Sequence, residues 1–147
     1  MKHRYEVILP VLLLIVAVAC DSLRGDADAE AAARGWAEAY FNYDYMQAMS
    51  LTADEDQPRL RFAASNVTPQ DVTLLNETES AEVQSMEVVE GSDSTATAYI
   101  TMSHVLQPDS IGGSLRRIED ARFELPMVKR KGSWKVRLAE LPRSQRR

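Results

Sequence analysis

From Thr95 to Leu106 the chain alternates. Ala96, Ala98, Ile100, Met102, His104 and Leu106 fall on one side, and Thr95, Thr97, Tyr99, Thr101, Ser103 and Val105 on the other. A period of two is what a strand with one buried and one wet face requires. Shorter runs repeat the pattern. Val83 to Glu90 reads as a strand closed by Gly91-Ser92-Asp93. Pro108 to Ser114, with Gly112-Gly113, reads as a loop. Arg122 to Lys129 alternates Phe123, Leu125 and Met127, and Pro126, lacking an N–H, predicts an edge or a bulge. Lys131-Gly132 turns the chain, Ser133 to Leu141 points Trp134, Val136 and Leu138 inward, and Pro142 ends the run.

Upstream the period is helical. Ala29, Ala32, Ala33, Trp36, Ala37, Tyr40 and Phe41 recur at three and four residues and make one apolar stripe. Gly35, costly in a helix by about 1 kcal/mol against Ala, permits close packing. Asp44 is placed to cap a short helix from Tyr45 to Leu51. Thr52-Ala53-Asp54-Glu55 has capping-box form, with Pro58 in the first turn of a helix carrying Leu60, Phe62, Ala63 and Ala64. Thr68-Pro69 starts another, with Val72 and Leu75 inward. Helices first and an antiparallel meander second predict an α+β fold, the helices packed on a curved antiparallel sheet of about four strands.

The first nineteen residues are different in kind. Lys2, His3 and Arg4 precede an apolar run from Val7 to Ala19, broken by Pro10. As a helix the run rises about 20 Å, short of a bilayer's ~30 Å hydrocarbon core. It reads as an export signal. Ala17-Val18-Ala19-Cys20 resembles a bacterial lipobox, with Ala where Leu is usual. The resemblance implies a diacylglyceryl group on the Cys20 thiol, cleavage before it, and an acylated amine; more than one chain gives stable anchoring. Cys20 is the sole cysteine, so no intramolecular disulfide forms. The expected organisation is a signal over residues 1–19, an acidic tether over 20–28, one domain over 29–142 and a basic tail over 143–147. The expected location is a bacterial cell envelope, on a membrane facing away from the cytoplasm.

Charge is unevenly spread. Residues 20–115 hold 4 Lys/Arg against 17 Asp/Glu, whereas residues 116–147 hold 11 against 4. Such asymmetry marks either an anionic partner or acidic helices lying against a basic sheet edge, and the second reading is preferred. The hairpin Lys129-Arg130-Lys131 is the candidate partner-binding segment. Nucleic acid is not an expected partner for an exported, acidic chain.

With these elements in order, the chain resembles the nuclear transport factor 2-like superfamily of cone-shaped α+β domains, in a form similar to that of Bacteroidota lipoproteins. The likeness rests on Trp36-Ala37-Glu38-Ala39-Tyr40-Phe41-Asn42-Tyr43-Asp44-Tyr45-Met46-Gln47-Ala48 as opening helix, turn and second helix. The closing Lys129-Arg130-Lys131-Gly132-Ser133-Trp134-Lys135-Val136 resembles the family's last hairpin. The resemblance implies a fold and a pocket, not a reaction.

No metal-ligand cluster, phosphate loop or nucleophile triad stands out, and neither metal nor cofactor is expected. The mature chain has one histidine, His104. As a general base it requires a carboxylate to orient it, and Asp44 with Tyr40 is the candidate company. Trp36, Tyr40, Tyr99 and His104 are the candidate ligand-binding set. Asp21-Ser22-Leu23, Asp93-Ser94-Thr95 and Asp109-Ser110-Ile111 resemble a Bacteroidota O-glycosylation sequon, making Ser22, Ser94 and Ser110 candidate sites. Two functions follow: a lipid-anchored, non-catalytic module that binds an envelope protein or a small ligand, or a small proton-transfer or dehydration enzyme using His104 with a tyrosine.

Overall fold

A computed structural model describes residues 27–108 and 113–143. The Cys20 anchor, the signal, most of the tether, Ser22, Ser110 and residues 144–147 lie outside the described residues. Helix α1 occupies residues 27–41. Helix α2 (Tyr45–Ser50), a single 3-10 turn (Asp54–Asp56), α3 (Gln57–Ser65) and α4 (Pro69–Glu77) follow. Six strands then run β1 (Glu82–Ser92), β2 (Thr95–Ser103), β3 (Val105–Pro108), β4 (Leu115–Ile118), β5 (Ala121–Arg130) and β6 (Ser133–Val136). The main sheet is antiparallel in the order β1-β2-β5-β6, and β3-β4 forms a separate ribbon. The fold is α+β, helices on one face of a four-stranded sheet, an arrangement compatible with a nuclear transport factor 2-like cone.

The predicted stripe of α1 makes the core. Ala29, Ala33, Trp36, Ala37 and Phe41 are buried against Ala98, Ile100 and Met102 of β2 and Phe123, Leu125 and Met127 of β5. The Phe41 and Phe123 rings lie 4.4 Å apart. Alanines along the stripe bring the helix backbone close to the sheet. A Cβ at Gly35 would lie 3.2 Å from Leu51 Cδ1, so glycine is there for a close approach. Each large side chain enclosed here contributes roughly 1.5–3 kcal/mol of transfer free energy.

Trp36 is fully enclosed. Its Nε1–H donates to Thr52 Oγ1 at 2.8 Å, and the Thr52 hydroxyl donates to the Ala48 carbonyl at 2.7 Å. Thr52 also bridges Val136 in parallel. Ala53 N–H donates to Val136 O (2.9 Å) and Val136 N–H to Leu51 O (2.8 Å). Residues 51–53 therefore cover the β6 edge, which would otherwise offer unpaired backbone groups. This is a correction: Thr52 is not the cap of a capping box, because its side chain is committed to Ala48 and Trp36, and the 3-10 turn begins after Ala53 without a side-chain cap. The Asp44 cap is present, accepting from Gln47 N–H at 3.1 Å. Thr68 caps α4 in a full capping box with Asp71.

Four further expectations are revised. The strand beginning at Thr95 is not continuous to Leu106; it stops at Ser103, and His104 turns the chain at φ 58°. Beyond the bend Val105 and Leu106 are both buried, so the alternation is lost and His104 does not share the apolar face. The segment after the Gly112-Gly113 loop forms a strand, β4, paired with β3. Pro126 lies in β5, an interior strand, opposite Thr97 of β2. Its carbonyl accepts from Arg137 N–H at 2.7 Å, just beyond the last β5–β6 pair, Met127 with Val136. Its missing donor thus faces the point where the ladder ends, which is how an interior strand tolerates proline. Val72 of α4 is 44% exposed rather than inward, and α4 contains no buried residue.

Candidate functional site

His104 sits where β2 hands over to the β3-β4 ribbon. Left-handed φ is uncommon outside glycine, though histidine adopts it more readily than bulky residues. The bend is held from three directions. His104 N–H donates to Glu119 Oε2 at 3.1 Å. On the ring, Nε2 lies 3.0 Å from Glu79 Oε2 and Nδ1 3.3 Å from Glu119 Oε1. Arg117 binds Glu119 Oε1 through Nε at 2.6 Å and Glu79 Oε2 through a terminal nitrogen at 3.3 Å. That nitrogen also meets His104 Nδ1. The backbone N–H of His104 is the largest influence holding the Glu119 carboxyl below the usual glutamate range; desolvation opposes it, and the Arg117 guanidinium adds to the lowering.

This arrangement fixes what the imidazole can do. Where Nδ1 accepts from Arg117, the proton resides on Nε2 and is donated to Glu79. Both ring nitrogens are then engaged, and proton transfer to a substrate requires Glu79 to leave. Among the described residues, the hydrogen bonds and ion pairs of His104 go to Glu79, Arg117 and Glu119, not to Tyr40 or Asp44. Tyr40 packs on Trp36 (4.8 Å between rings), Phe41 (5.0 Å) and Tyr45 (5.8 Å), and Asp44 caps α2.

The four candidate ligand residues do not converge. Trp36 and Tyr40 stack together at the helix–sheet interface, Trp36 with no exposed surface. Tyr99 lies on the opposite face of the sheet, 44% exposed, between Glu87 of β1 and Glu124 of β5. His104 is at the bend after β2, bound to Glu79, Arg117 and Glu119. Among the described residues no group of three His, Cys, Asp or Glu side chains is placed to hold a metal ion, and no helix is long and apolar enough to cross a membrane.

The basic hairpin is partly committed. Lys129 Nζ lies 5.9 Å from the centre of the Trp134 ring, Arg130 pairs with Glu55 at 3.1 Å, and Lys131 occupies a left-handed turn position at φ 50°. Nearby Arg137 binds Asp56 Oδ2 at 2.6 Å and Glu55 at 3.2 Å. Acidic residues after α2 therefore neutralise part of the basic C-terminal segment from within, as the preferred charge reading expects. Ser94 is exposed in the β1–β2 turn, its carbonyl accepting from Lys129 N–H at 2.8 Å.

A second cluster lies where α1 meets α2. Tyr43 N–H donates to Tyr40 O at 3.1 Å and Asp44 N–H to Ala39 O at 2.8 Å, the paired bonds of a Schellman C-cap. Tyr43 holds the left-handed position, at φ 63°. Burial pushes the Tyr40 and Tyr43 phenols up to about 12 and raises Tyr45 as well; neighbouring Tyr43 adds to the effect at Tyr40, and Asp71 to that at Tyr43. All three are hydrogen-bond donors, not bases, near neutral pH.

Sequence reasoning named His104 and the tyrosines but missed Glu79, Arg117 and Glu119. Arg117-Ile118-Glu119 has the i, i+2 spacing that places opposite charges on one side of an extended segment, a signal usable only once β4 is recognised. Nothing in the sequence points to Glu79. No family model matches this sequence, and no curated protein matches it either.

Proposed function

We propose that this chain is a cell-envelope lipoprotein, anchored through acylated Cys20, whose α+β domain is a binding module rather than a catalyst. The observation that carries the second half is the commitment of His104. Its ring nitrogens face Glu79, Glu119 and Arg117 in a half-exposed ionic network. The interior between helices and sheet is occupied by Trp36, Phe41, Ile100, Met102, Phe123 and Leu125. Nuclear transport factor 2-like membership is part of the proposal, supported by the order of elements.

The anchor is tested by the mass of the N-terminal peptide from protein isolated out of membranes. The expected peptide begins at Cys20 and carries a diacylglyceryl group, and Cys20→Ser leaves the uncut precursor. An intact N-terminus or a free thiol on the wild-type protein overturns the anchoring. Partner docking on the hairpin is tested with Lys129→Glu and Lys131→Glu together, leaving the Arg130–Glu55 pair in place. Cross-linking to an envelope protein should fall severalfold; unchanged cross-linking removes the hairpin as the docking face.

A further inference from the structure

The two edges of the main sheet are finished differently. Residues 51–53 cover β6. The β1 edge is covered where the strand begins. The Asn42 side-chain amide accepts from Ala81 N–H at 2.9 Å and donates to Ala81 O at 2.8 Å, as the peptide group of a neighbouring strand would. Glu38 Oε1 accepts from Val83 N–H at 3.4 Å. Further along, among the described residues, β1 pairs with β2 alone. Sheet edges are commonly blunted by Lys, by Pro or by a bulge. β1 has neither Lys nor Pro. Its irregularities fall between Val83 and Ser85 and between Glu90 and Ser92, and they leave residues 85–90 in unbroken register with β2. Alternate residues of such a run direct their N–H and C=O groups away from the sheet. Met86 and Val88 are half-buried against the core on one face. Glu87 and Val89 are exposed on the other, Glu87 opposite Tyr99 of β2.

Charge selects what can be laid on this edge. No Lys or Arg occurs between Arg61 and Arg116, so neither β1 nor β2 carries a cation, whereas β1 carries Glu82, Glu87 and Glu90. A second copy of β1 set edge to edge would bring these carboxylates together with no cation between them, and like charges across strands are destabilising. We infer that residues 85–90 of β1 are a docking edge that takes up, as a fifth strand, an extended segment of a partner protein in which Lys or Arg alternates with aliphatic residues. The partner's backbone pairs with the outward N–H and C=O groups, and its aliphatic side chains lie beside Met86 and Val88. Its cations lie beside Glu87, with their methylene stems over Val89. The inference deepens the binding-module reading and rests on it. The two fail separately: the mass of the Cys20 peptide and cross-linking at Lys129 and Lys131 are blind to β1, and a peptide titration at β1 is blind to both.

The test offers the full-length protein, in a nonionic detergent, three short peptides. One alternates Lys with Val and one Glu with Val. The third alternates Lys with Pro, which keeps the positive charge but removes backbone donors. Fluorescence anisotropy of the labelled peptide gives affinity, and amide hydrogen exchange gives the place. The Lys-Val peptide should bind saturably, with a Kd of about 0.1 mM, and slow exchange within residues 85–90. The Glu-Val and Lys-Pro peptides should bind at least about tenfold more weakly. Glu87→Lys, a change at an exposed position, should weaken the Lys-Val peptide about tenfold and make Glu-Val the better ligand. The docking edge is overturned by no saturable binding, by Lys-Pro binding as well as Lys-Val, or by binding that leaves exchange in residues 85–90 unchanged. It is overturned equally by unchanged affinity in Glu87→Lys, or by protection of β1 that rises with protein concentration without peptide, which would make a second copy the occupant.

Discussion

The protein contains two ionic clamps built from the same parts and set at different depths. Around Asp56, Arg137 Nε binds one carboxylate oxygen at 2.6 Å, Arg59 binds the other at 3.1 Å, and Leu138 N–H donates at 2.9 Å. Asp56 is 4% exposed. Around His104, Glu79 and Glu119 have side chains 71% and 51% exposed. The first clamp joins the 3-10 turn to the segment after β6, and the second joins the α4–β1 connection to the β3-β4 ribbon. Depth decides their worth. An exposed pair contributes about 0–1 kcal/mol, because water and salt compete for both partners, whereas removing one partner of a buried pair leaves a desolvated group behind. The inner clamp should govern stability and the outer one local geometry.

The sharpest way to break this contrast is Asp56→Ala. It leaves the Leu138 N–H unsatisfied in a buried setting and lets the C-terminal segment detach, at a cost of about 2–3 kcal/mol in chemical denaturation. A loss under about 1 kcal/mol would put the two clamps on a par. The same residue sets an acid limit. Burial opposes its ionisation, but the bonds from Arg137, Leu138 and Arg59 outweigh this and hold the carboxyl below the ordinary aspartate value. Ionised Asp56 therefore adds stability that is complete above about pH 4 and drains as the pH falls through its depressed value. Wild-type stability should fall with acid in that window, and the Asp56→Ala protein should show a flatter profile.

The two clamps were not equally legible. Helices, the α2 and α4 caps and the inward residues of β2, β5 and β6 follow from local spacing, and the structure keeps them. Asp56 and Arg137 are separated by 81 residues, and no spacing rule joins them. Thr52-Ala53-Asp54-Glu55 offered a valid local cap, but a buried indole N–H needed an acceptor, and tertiary demand took Thr52 away from the helix start. His104 misled for a related reason. Alternation along Thr95–Leu106 carries no mark of a backbone bend, and the bend is enforced by Glu79, Arg117 and Glu119, which belong to other segments. The candidate ligand set failed to converge because a period of two fixes the side of the sheet but not whether a helix covers it. Tyr99 and Trp36 accordingly ended on opposite faces.

A change without charge sharpens the comparison at intermediate cost. Thr52→Val preserves the shape of a buried side chain and deletes the acceptor of Trp36 Nε1–H. One hydrogen-bonding group left unpaired in the interior costs about 1–3 kcal/mol. The protein supplies its own reference, because Trp134, also buried, has an Nε1 with no hydrogen-bond partner among the described residues. If Thr52→Val destabilises by about 2 kcal/mol, the interior near α2 is intolerant of what the β6 edge accepts. If it is neutral, burial rather than hydrogen bonding secures Trp36, and the depth argument rests on the Asp56 charge alone.

The smallest expected effect separates strain from ion pairing at the outer clamp. His104→Ala removes the ring contacts to Glu79, Glu119 and Arg117 but keeps a Cβ at φ 58°. His104→Gly removes the same contacts and the Cβ as well. The backbone bond from residue 104 N–H to Glu119 is available to both. Any difference between them is therefore conformational, and about 1 kcal/mol in favour of Gly is expected. Relative to wild type, Ala should cost about 1 kcal/mol and Gly should fall within about 0.5 kcal/mol, the relief of strain offsetting the lost pairs. Raising the salt concentration should shrink the wild-type advantage over Ala while leaving the Ala–Gly gap unchanged, because screening acts on the ion pairs and not on the dihedral angle. A gap that closes with salt would mean the bend is held by charge rather than endured by the backbone.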